Sequence, residues 1–382
     1  MFEQIIAFKN LLSAYYRARR SKRFRSKLQK IELNFEDRLI KIRKQLKNGT
    51  YRPKPYHKFL VHEPKLRNIS APALIDRIVH HAIIHIIESV FEPQFISHTF
   101  ACRKNKGALC ARHHLEKSYK KCFKKYQIFY ALKCDVKSFF ASVDHQILIK
   151  LVSKSIVCPK TLKLLIIIIN SYQDMPDKGI PIGNLTSQLF ANAYLHPLDI
   201  LITKEFKEKN YFRYMDDFII LSADKNYLIE IRNQISLFLE IELKLQLHQH
   251  KTNIFRADKG LDFVGFMIKP TGITIRKKTL RRYKKRHKKR LKQLKNYKNN
   301  LKKYQFNQLS LFENHQNNIY KTEKNIEKIK NFKIKLRASR NSFKGLLKHS
   351  KYKRLKSGGV EVNGIIIPNI FPRKKITKQL YT

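Results

Sequence analysis

Residues 212–221 have the sequence FRYMDDFIIL, and this stretch decides the fold. Two adjacent carboxylates, Asp216 and Asp217, stand between two strand-like apolar runs. Acidic residues are scarce in this chain, with 28 Asp and Glu against 81 Lys and Arg, so an acidic pair inside an apolar stretch needs a reason. Two short strands joined at a polar turn predict a β-hairpin that carries both carboxylates at its tip.

A second apolar run ends in an acid in the same way. Residues 128–136 have the sequence IFYALKCDV, which predicts a strand that ends near Asp135. If this strand lies beside the hairpin, Asp135 and Asp216 can hold divalent cations, because Mg²⁺ prefers hard oxygen ligands. Two Mg²⁺ ions about 4 Å apart can activate an attacking hydroxyl and neutralise a leaving pyrophosphate. The alternative, a helix cap or turn role for each Asp, is less favoured for acids at strand ends in a polybasic chain.

The charge of the chain indicates a polyanionic partner. Its 382 residues carry a formal net charge of +53 at pH 7, and 43% of them are hydrophobic. That hydrophobic share is enough for a large core and excludes wholesale disorder. Lys and Arg that neutralise phosphates release counterions, so nucleic acid is the expected partner. Codon bias is the alternative, because the chain is also rich in Asn and Ile, but bias does not remove acids.

The sequence predicts neither membrane insertion nor export. The longest apolar run, residues 164–169, is far too short to span a bilayer. The N-terminal residues MFEQIIAFKNLL lack the basic start and the small-residue cleavage site of a signal peptide. The five cysteines form no CxxC pair, which argues against a disulfide framework and a zinc ribbon and favours a reducing cytosol.

Composition divides the chain into segments of different character. Residues 1–50 are predicted to be helical, because Asn48-Gly49 supplies a helix stop and apolar residues recur at heptad spacing. The residues of this apolar series are Phe35, Leu39, Ile42 and Leu46. Residues 51–270 mix strand-like and helix-like runs, which predicts an α/β or α+β region.

The following segment contains a very basic helix. Residues 276–303 are mostly Lys and Arg, yet they keep an apolar stripe at helical spacing. The stripe consists of Leu280, Tyr283, His287, Leu291 and Leu294. It predicts a helix that is docked on one face and presents charge to phosphate on the other, rather than a solvated tail. Residues 305–331 are polar and predict a loop or helical insertion, and Asn363-Gly364 between two short apolar runs predicts a hairpin.

The acidic motifs resemble those of reverse transcriptases. Tyr214-Met215-Asp216-Asp217 resembles their YxDD box, and residues 135–140, DVKSFF, resemble their first aspartate motif. A Gly-containing motif lies between these two, and residues 247–252 and 263–266 are similar to the lysine motif and the primer-grip turn that follow. The resemblance covers residues 50–270 well. It implies an α+β fold, that of a right-hand polymerase with fingers, an antiparallel-sheet palm and a helical thumb.

The same resemblance implies a division of the chain. Residues 51–270 would be the fingers and palm, after an N-terminal helical segment at 1–50. Residues 271–357 would be the basic helical thumb, with an insertion near 305–331, and residues 358–382 a C-terminal hairpin and tail.

The resemblance also implies the roles of the central residues. Asp135, Asp216 and Asp217 would bind two Mg²⁺ ions, and Val136 would lend a backbone carbonyl. Phe140 stands where these enzymes place an aromatic against the sugar 2′ position. A plain core role is the alternative for Phe140.

Further residues of the resemblance concern the incoming nucleotide. In residues 63–69, EPKLRNI, Lys65 and Arg67 would clamp the triphosphate, since a point-charge Lys and a forked Arg suit that task. Lys251 resembles the lysine proposed to protonate pyrophosphate, although an exposed Lys after a strand is ordinary here. Arg103 and Gly107 resemble the second fingers motif, and plain contact with the RNA backbone is equally compatible with them.

One motif indicates a particular group within the family. Residues 181–188 have the sequence PIGNLTSQ, where most relatives carry Gln-Gly and intron-type enzymes continue with Ser-Pro. Ile182 replaces the glutamine, and Gln188 stands in place of the proline. This form resembles the reverse transcriptases of diversity-generating retroelements, as does the run from residue 71 to 81. Gly183 would let the backbone approach the nucleotide closely.

The replacement at Ile182 implies low fidelity. A methyl surface cannot provide the hydrogen bonds of a glutamine, and sites without such contacts discriminate less. The family likeness implies misincorporation opposite template adenines. A neutral apolar exchange inside the loop is the alternative.

Taken together, the resemblance implies an RNA-directed DNA polymerase that makes error-prone cDNA from a dedicated template RNA in a diversity-generating retroelement. Its partners would be the template RNA, the RNA/cDNA duplex, dNTPs and a small basic accessory protein that forms an oligomeric ring. The histidines show no metal-ligand spacing and are interpreted as core residues or RNA contacts. Two alternatives remain: a reverse transcriptase of the retron, group II intron-like or phage-defence type, and a non-catalytic RNA-binding protein.

Overall fold

The structure is a computed structural model that describes residues 1–20, 34–62, 66–308, 315–354, 360–362 and 365–367. It forms two compact units, Met1–Ala257 and Asp258–Thr382. Within the described part of the chain, no helix combines the length and the apolar character that crossing a membrane requires.

The larger unit combines helices with two antiparallel sheets. Its helices are α1 (Phe2–Ile6), α2 (Phe8–Arg19), α3 (Phe35–Lys47), α4 (Leu74–Phe91), α5 (Ala108–Tyr126), α6 (Phe139–Ser142), α7 (His145–Ser153), α8 (Pro159–Ile169), α9 (Leu185–Ile200) and α10 (Lys225–Leu243). Its strands are β1 (His57–Val61), β2 (Arg67–Ala71), β3 (Tyr130–Asp135), β4 (Tyr211–Tyr214), β5 (Asp217–Ser222) and β6 (Asn253–Arg256). A π-helical turn at Leu201–Glu205 and a 3₁₀ turn at Gln249–Lys251 complete it.

The central sheet has the strand order β4-β5-β3-β6, and all of its neighbours are antiparallel. Strands β4 and β5 form the predicted hairpin, with Tyr214 paired to Asp217 across a turn at Met215 and Asp216. Helices α5 and α10 pack on this sheet. Because helices cover it, residues Phe218–Leu221 of β5 are all buried, which explains their uninterrupted apolar run.

The N-terminal helices share the core of the larger unit. Helix α2 packs on α3 and α4, and α4 packs on α9. The predicted heptad residues Leu39, Ile42 and Leu46 are buried in this contact. Buried residues of α1, α2 and α3 belong to the same hydrophobic cluster as those of α4 and α9.

The smaller unit begins at Asp258, before the boundary expected at residue 270. Its elements are β7 (Leu261–Phe263), β8 (Phe266–Lys269), β9 (Gly272–Ile275), α11 (Lys277–Gln308), α12 (His315–Leu347), β10 (Lys353–Arg354), β11 (Val360–Val362) and β12 (Ile365–Ile367). Strands β7, β8 and β9 form a separate antiparallel sheet, in which the central strand β8 pairs with both β7 and β9.

The basic helix α11 packs on α12 through its apolar stripe, as the sequence predicts. Leu280, Tyr283 and His287 of α11 are buried, and the Tyr283 ring stacks on Phe343 of α12 at a centroid distance of 3.8 Å. The neighbouring Lys and Arg residues of α11 are mostly exposed. The helix therefore buries one face and keeps a charged one.

Two expectations for the C-terminal part have different outcomes. The polar segment 305–331 is helical at 305–308 and 315–331, and residues 309–314 lie outside the described ones. The two strands predicted to flank Asn363-Gly364 pair antiparallel, with Val362 opposite Ile365. The turn residues themselves lie outside the described part of the chain.

Candidate active site

The backbone brings three aspartates near one another where β3 ends beside the β4–β5 turn. Asp135 is the last residue of β3 and faces Asp217, the first residue of β5, in the strand register. Asp216 lies in the turn, and its carbonyl accepts a hydrogen bond from the Val136 amide at 3.3 Å. Met215 precedes it in the left-handed region, with φ of 62°. The two predicted acidic motifs are thus neighbours in space.

The surroundings of Asp216 disfavour its charged form. Burial raises the pKa of Asp216 above its ordinary value, and the negative charge of Asp135 raises it further. The positive charges of Lys251 and Arg67 act in the opposite direction. A partly buried acid beside a second acid is the kind of place where a cation is bound.

Two lysines lie against the aspartates. Lys251 Nζ donates a hydrogen bond to Asp135 Oδ1, and Lys133 Nζ lies 3.7 Å from Asp217 Oδ2. Among the described residues, no three His, Cys, Asp or Glu side chains gather into a ready-made metal cluster. Mg²⁺ is commonly held by one or two carboxylates together with substrate phosphates. The carboxylate oxygens present fit such a shell, which the substrate would complete.

The residues after Asp135 link the site to a second loop. The Val136 side chain is buried, and its backbone joins the 247 region in a short β-bridge. Phe140 is half-buried and packs edge-on against Phe139 at 5.4 Å. Its carbonyl accepts a hydrogen bond from the Ile180 amide at 2.8 Å. This bond ties the first aspartate motif to the loop that contains Ile182.

The loop with Ile182 and Gly183 is held by the strand β2. The Ser70 amide donates to the Ile182 carbonyl at 3.3 Å, and the Ile182 side chain is half-buried. Gly183 has φ of 115°, a left-handed backbone that favours glycine. A Cβ at this position would lie 3.3 Å from Ile69 Cγ2, so the strand passes close to a bare backbone. Gln188 follows on α9 and is half-buried.

The remaining nucleotide-binding candidates have different outcomes. Arg67 begins β2, is exposed, and is near enough for its charge to lower the pKa of Asp216 against the effect of burial. Lys65 lies outside the described residues. Gly107 precedes α5 with φ of 113°.

Arg103 has a structural role instead of a contact with RNA. Its Nε donates to Glu92 Oε1 at 2.9 Å, and its other nitrogens donate to carbonyls of the 92–99 loop, including Thr99 at 3.1 Å. The side chain is only 5% exposed. A guanidinium used in this way has no donors left for a phosphate, so the expected phosphate contact is wrong.

A buried ion pair behind the turn was not predicted from the sequence. Arg213 Nε donates to Asp199 Oδ1 at 2.6 Å, and both side chains are fully buried. The Tyr211 hydroxyl also donates to Asp199 Oδ1, at 2.7 Å. Burial and then the charge of Asp199 raise the pKa of Tyr211 well above its usual value. The available signal was an Arg inside a buried strand, but nothing in the sequence shows which acid faces it.

Several histidines belong to the core, as one of the two interpretations holds. His80 is fully buried and lies 3.5 Å from Thr186 Oγ1 through Nδ1. Burial lowers the pKa of His80 to about 3. His98 stacks on Phe212 of β4 at 5.0 Å, so it also supports the hairpin strand.

The fold and the three aspartates agree with the family comparison, which shows that the chain belongs to the reverse transcriptase family. The family model described as Reverse transcriptase (RNA-dependent DNA polymerase) matches residues 52–268, more than half of the chain. Together with the antiparallel central sheet, this match confirms the predicted α+β polymerase fold class.

Two of the curated relatives come from bacteria. The Group II intron-encoded protein LtrA of Lactococcus lactis subsp. cremoris is 26% identical over 307 residues, which cover 61% of this chain and 50% of that protein. Protein YkfC of Escherichia coli (strain K12) is 25% identical over 268 residues, which cover 59% of this chain and 70% of that protein. The chain thus spans about half the length of the first of these relatives.

The solved structures that this chain matches include telomerases. The apo telomerase of Candida tropicalis, truncated from its C-terminal domain, is 13% identical with a TM-score of 0.44, covering 61% of this chain and 58% of that one. The telomerase of Candida albicans in complex with a TWJ fragment of telomeric RNA is also 13% identical, with a TM-score of 0.45 and coverages of 59% and 46%.

Proposed function

We propose that the protein is an RNA-directed DNA polymerase that copies a template RNA into cDNA from dNTPs. The observation that carries the proposal is the pairing of Asp135 with Asp217 at the ends of neighbouring strands, beside Asp216 in the turn, inside a chain of net charge +53. Few roles other than phosphoryl chemistry explain adjacent, partly buried acids in so basic a protein.

In this proposal the three aspartates and the Val136 carbonyl hold two Mg²⁺ ions. When bound, these ions supply activation of the primer hydroxyl and neutralisation of the leaving pyrophosphate. Arg67 and Lys65 bind the triphosphate, and Lys251 delivers a proton to pyrophosphate; the contact of Lys251 with Asp135 supports this role.

The remaining nucleotide contacts belong to the loop before α9. Gly183 lets the backbone approach the nucleotide, since its bare backbone already accepts close packing by β2. Ile182 and Gln188 line the same approach, and Phe140 excludes a ribose 2′ hydroxyl.

We further propose the diversity-generating retroelement type, with error-prone synthesis on a dedicated RNA and a small basic accessory protein that forms a ring. The sequence PIGNLTSQ at 181–188 supports this type. The similarity to a group II intron-encoded protein favours the second candidate, a group II intron-like enzyme. A template repeat beside a near-identical variable repeat that differs at adenines, in the neighbouring DNA, distinguishes the first candidate from the second.

The cytoplasm of a bacterial or phage-infected cell is the proposed location. All five cysteines carry free thiols, which suits a reducing compartment.

Removing the central carboxylate tests the activity. Asp216→Ala should abolish dNTP incorporation on an RNA template and leave RNA affinity unchanged, because the basic surface is intact. Asp37→Ala is a matched control, since Asp37 is an exposed acid in the first turn of α3. Incorporation at the wild-type rate by Asp216→Ala would exclude the metal assignment.

A further inference from the structure

The turn that carries Asp216 is held from two sides. On one side, the Val136 amide donates to the Asp216 carbonyl at 3.3 Å. On the other side, Arg213 NH1 donates to the Met215 carbonyl at 3.1 Å. Met215 has a left-handed backbone, which a non-glycine residue keeps only when its surroundings fix it. The contact from Arg213 therefore acts on the least relaxed residue of the turn.

The Arg213 guanidinium is itself fixed in place. Two of its nitrogens donate to the two carboxylate oxygens of Asp199, at 2.6 Å and 2.5 Å. A weaker contact of 3.3 Å joins NH1 to Asn192 Oδ1. Asp199 also accepts hydrogen bonds from Tyr211 at 2.7 Å and from Thr99 at 3.2 Å. Each carboxylate oxygen of Asp199 thus accepts one hydrogen bond from Arg213 and one from a hydroxyl, which fixes the carboxylate that holds the arginine.

This arrangement joins separate elements to the turn. Asn192 and Asp199 lie on helix α9, which also follows the Ile182 loop, while Arg213 lies on β4. A bidentate Arg–carboxylate pair has a defined geometry, unlike an apolar contact. Apolar residues of similar volume hold a buried strand as well as an ion pair does, so stability alone does not account for charges at this position.

We propose that Arg213 and Asp199 form a positioning pair that sets the Met215–Asp216 turn in the geometry needed for catalysis. The pair does not touch substrate; it acts through the Met215 carbonyl on the carboxylate of Asp216. This inference rests on the proposed polymerase function. It adds two residues of α9 and β4 to the set that determines the rate.

Two variants remove the support of the turn without leaving an unpaired charge in the core. Arg213→Lys keeps the ion pair with Asp199 but cannot also reach the Met215 carbonyl. The double variant Asp199→Asn with Arg213→Gln removes both charges together and leaves no unpaired one in the core. Each should lower the single-nucleotide incorporation rate about 100-fold, because misplacement by about 1 Å has an effect of that order. RNA affinity and the KM for dNTP should stay near the wild-type values.

Two controls separate positioning from general damage. Tyr211→Phe removes one hydrogen bond to Asp199 but leaves the contact between Arg213 and Met215, so it should retain most of the rate. Tyr227→Phe removes a hydrogen bond to Glu208 elsewhere in the same unit, 2.6 Å long, and should not change the rate. The test variants and the control variants are compared at equal folded fraction, measured by circular dichroism.

A second readout does not depend on polymerase activity. Amide hydrogen exchange of the peptide spanning 213–218 should accelerate at least tenfold in both Arg213 variants and remain unchanged in Tyr227→Phe. If the wild type shows no RNA-templated synthesis, the proposed function fails, while the exchange result still decides whether the pair holds the turn. Wild-type incorporation and exchange rates in folded Arg213→Lys, or in the double variant if only that one folds, would overturn the inference. Unfolding of both variants would overturn it as well, since it would show a structural pair only.

Discussion

Ile182 is the residue on which the low-fidelity proposal depends. Its carbonyl is held by the Ser70 amide, and the next residue keeps a left-handed backbone, so the loop itself is well fixed. The half-buried side chain offers methyl groups where a glutamine would offer an amide. Exchange of the side chain should therefore alter contacts to the nucleotide without moving the backbone.

The substitution Ile182→Gln should lower the error rate and retain Mg²⁺-dependent synthesis. Sites that hydrogen-bond their substrate discriminate by as much as about 10⁴-fold, whereas apolar contacts give far less. Sequencing of cDNA made from one defined RNA template by both proteins measures the difference. A wild-type error rate no higher at template adenine than at other bases would refute the low-fidelity proposal. High adenine errors that persist in the variant would assign them to another residue.

His80 gives a pH dependence of a definite sign. Burial lowers its pKa from 6.5 to about 3, with smaller contributions from His81 and Arg77. Below pH 6.5, His80 therefore binds a proton in the unfolded chain but stays neutral in the folded protein. The associated stability is present above pH 6.5 and is lost as the pH falls toward 3.

Denaturant unfolding at several pH values measures this effect. Between pH 7 and pH 5, the wild type should lose about 2 kcal/mol more free energy of unfolding than His80→Asn. Asparagine can keep the contact with Thr186 and does not titrate. His57→Asn is the matched control, because His57 is exposed. Parallel pH profiles of unfolding free energy for the wild type and His80→Asn would contradict the assignment of this pH dependence to His80.

At the scale of elements, the strands around the aspartates could be predicted and their supports could not. Each acidic strand shows its type locally, through an apolar run that ends in an acid, so β3 and the β4–β5 hairpin follow from sequence. The partner of Arg213 lies on a helix, 14 residues away in the chain, and only packing brings it to Arg213. The contacts of Arg103 could not be predicted for the same reason, because the surrounding loop determines its carboxylate and carbonyl partners.

The helix α11 is the element on which the polyanion interpretation depends. Its buried residues Leu280, Tyr283 and His287 fix one face, while Lys284, Lys285, Lys288 and Lys289 are exposed. Replacing these four lysines by Gln should leave the helix docked. It should also reduce the slope of log K for RNA against log salt by up to about 0.7 per lysine, the value for single strands.

Binding titrations over a range of salt concentrations measure that slope. The matched control replaces Lys120, Lys121, Lys124 and Lys125 of α5, which are also exposed, so that both variants lose the same charge. A larger decrease in this slope for the α11 variant than for the α5 variant supports a specific contact between α11 and RNA. An unchanged slope at α11 would mean that its charge reflects codon bias.

At the scale of the whole molecule, the division into fingers and palm, thumb and tail stays a prediction. The family model ends at residue 268, near the expected 270, whereas the compact units divide after Ala257. The cause is that β7, β8 and β9 pair among themselves, a choice between strands that short apolar runs do not encode. The N-terminal helices likewise join the larger core through the buried stripe of α3.

The most direct test of the account is extension of a DNA primer on an RNA template by the purified protein with dNTPs. The account predicts synthesis that requires the RNA and Mg²⁺, stops when the Mg²⁺ is chelated, and is lost in Asp135→Asn, whose side chain ends β3 opposite Asp217. RNA affinity should be equal in the two proteins. Binding of RNA without any primer extension, or extension at an equal rate by Asp135→Asn, would contradict it.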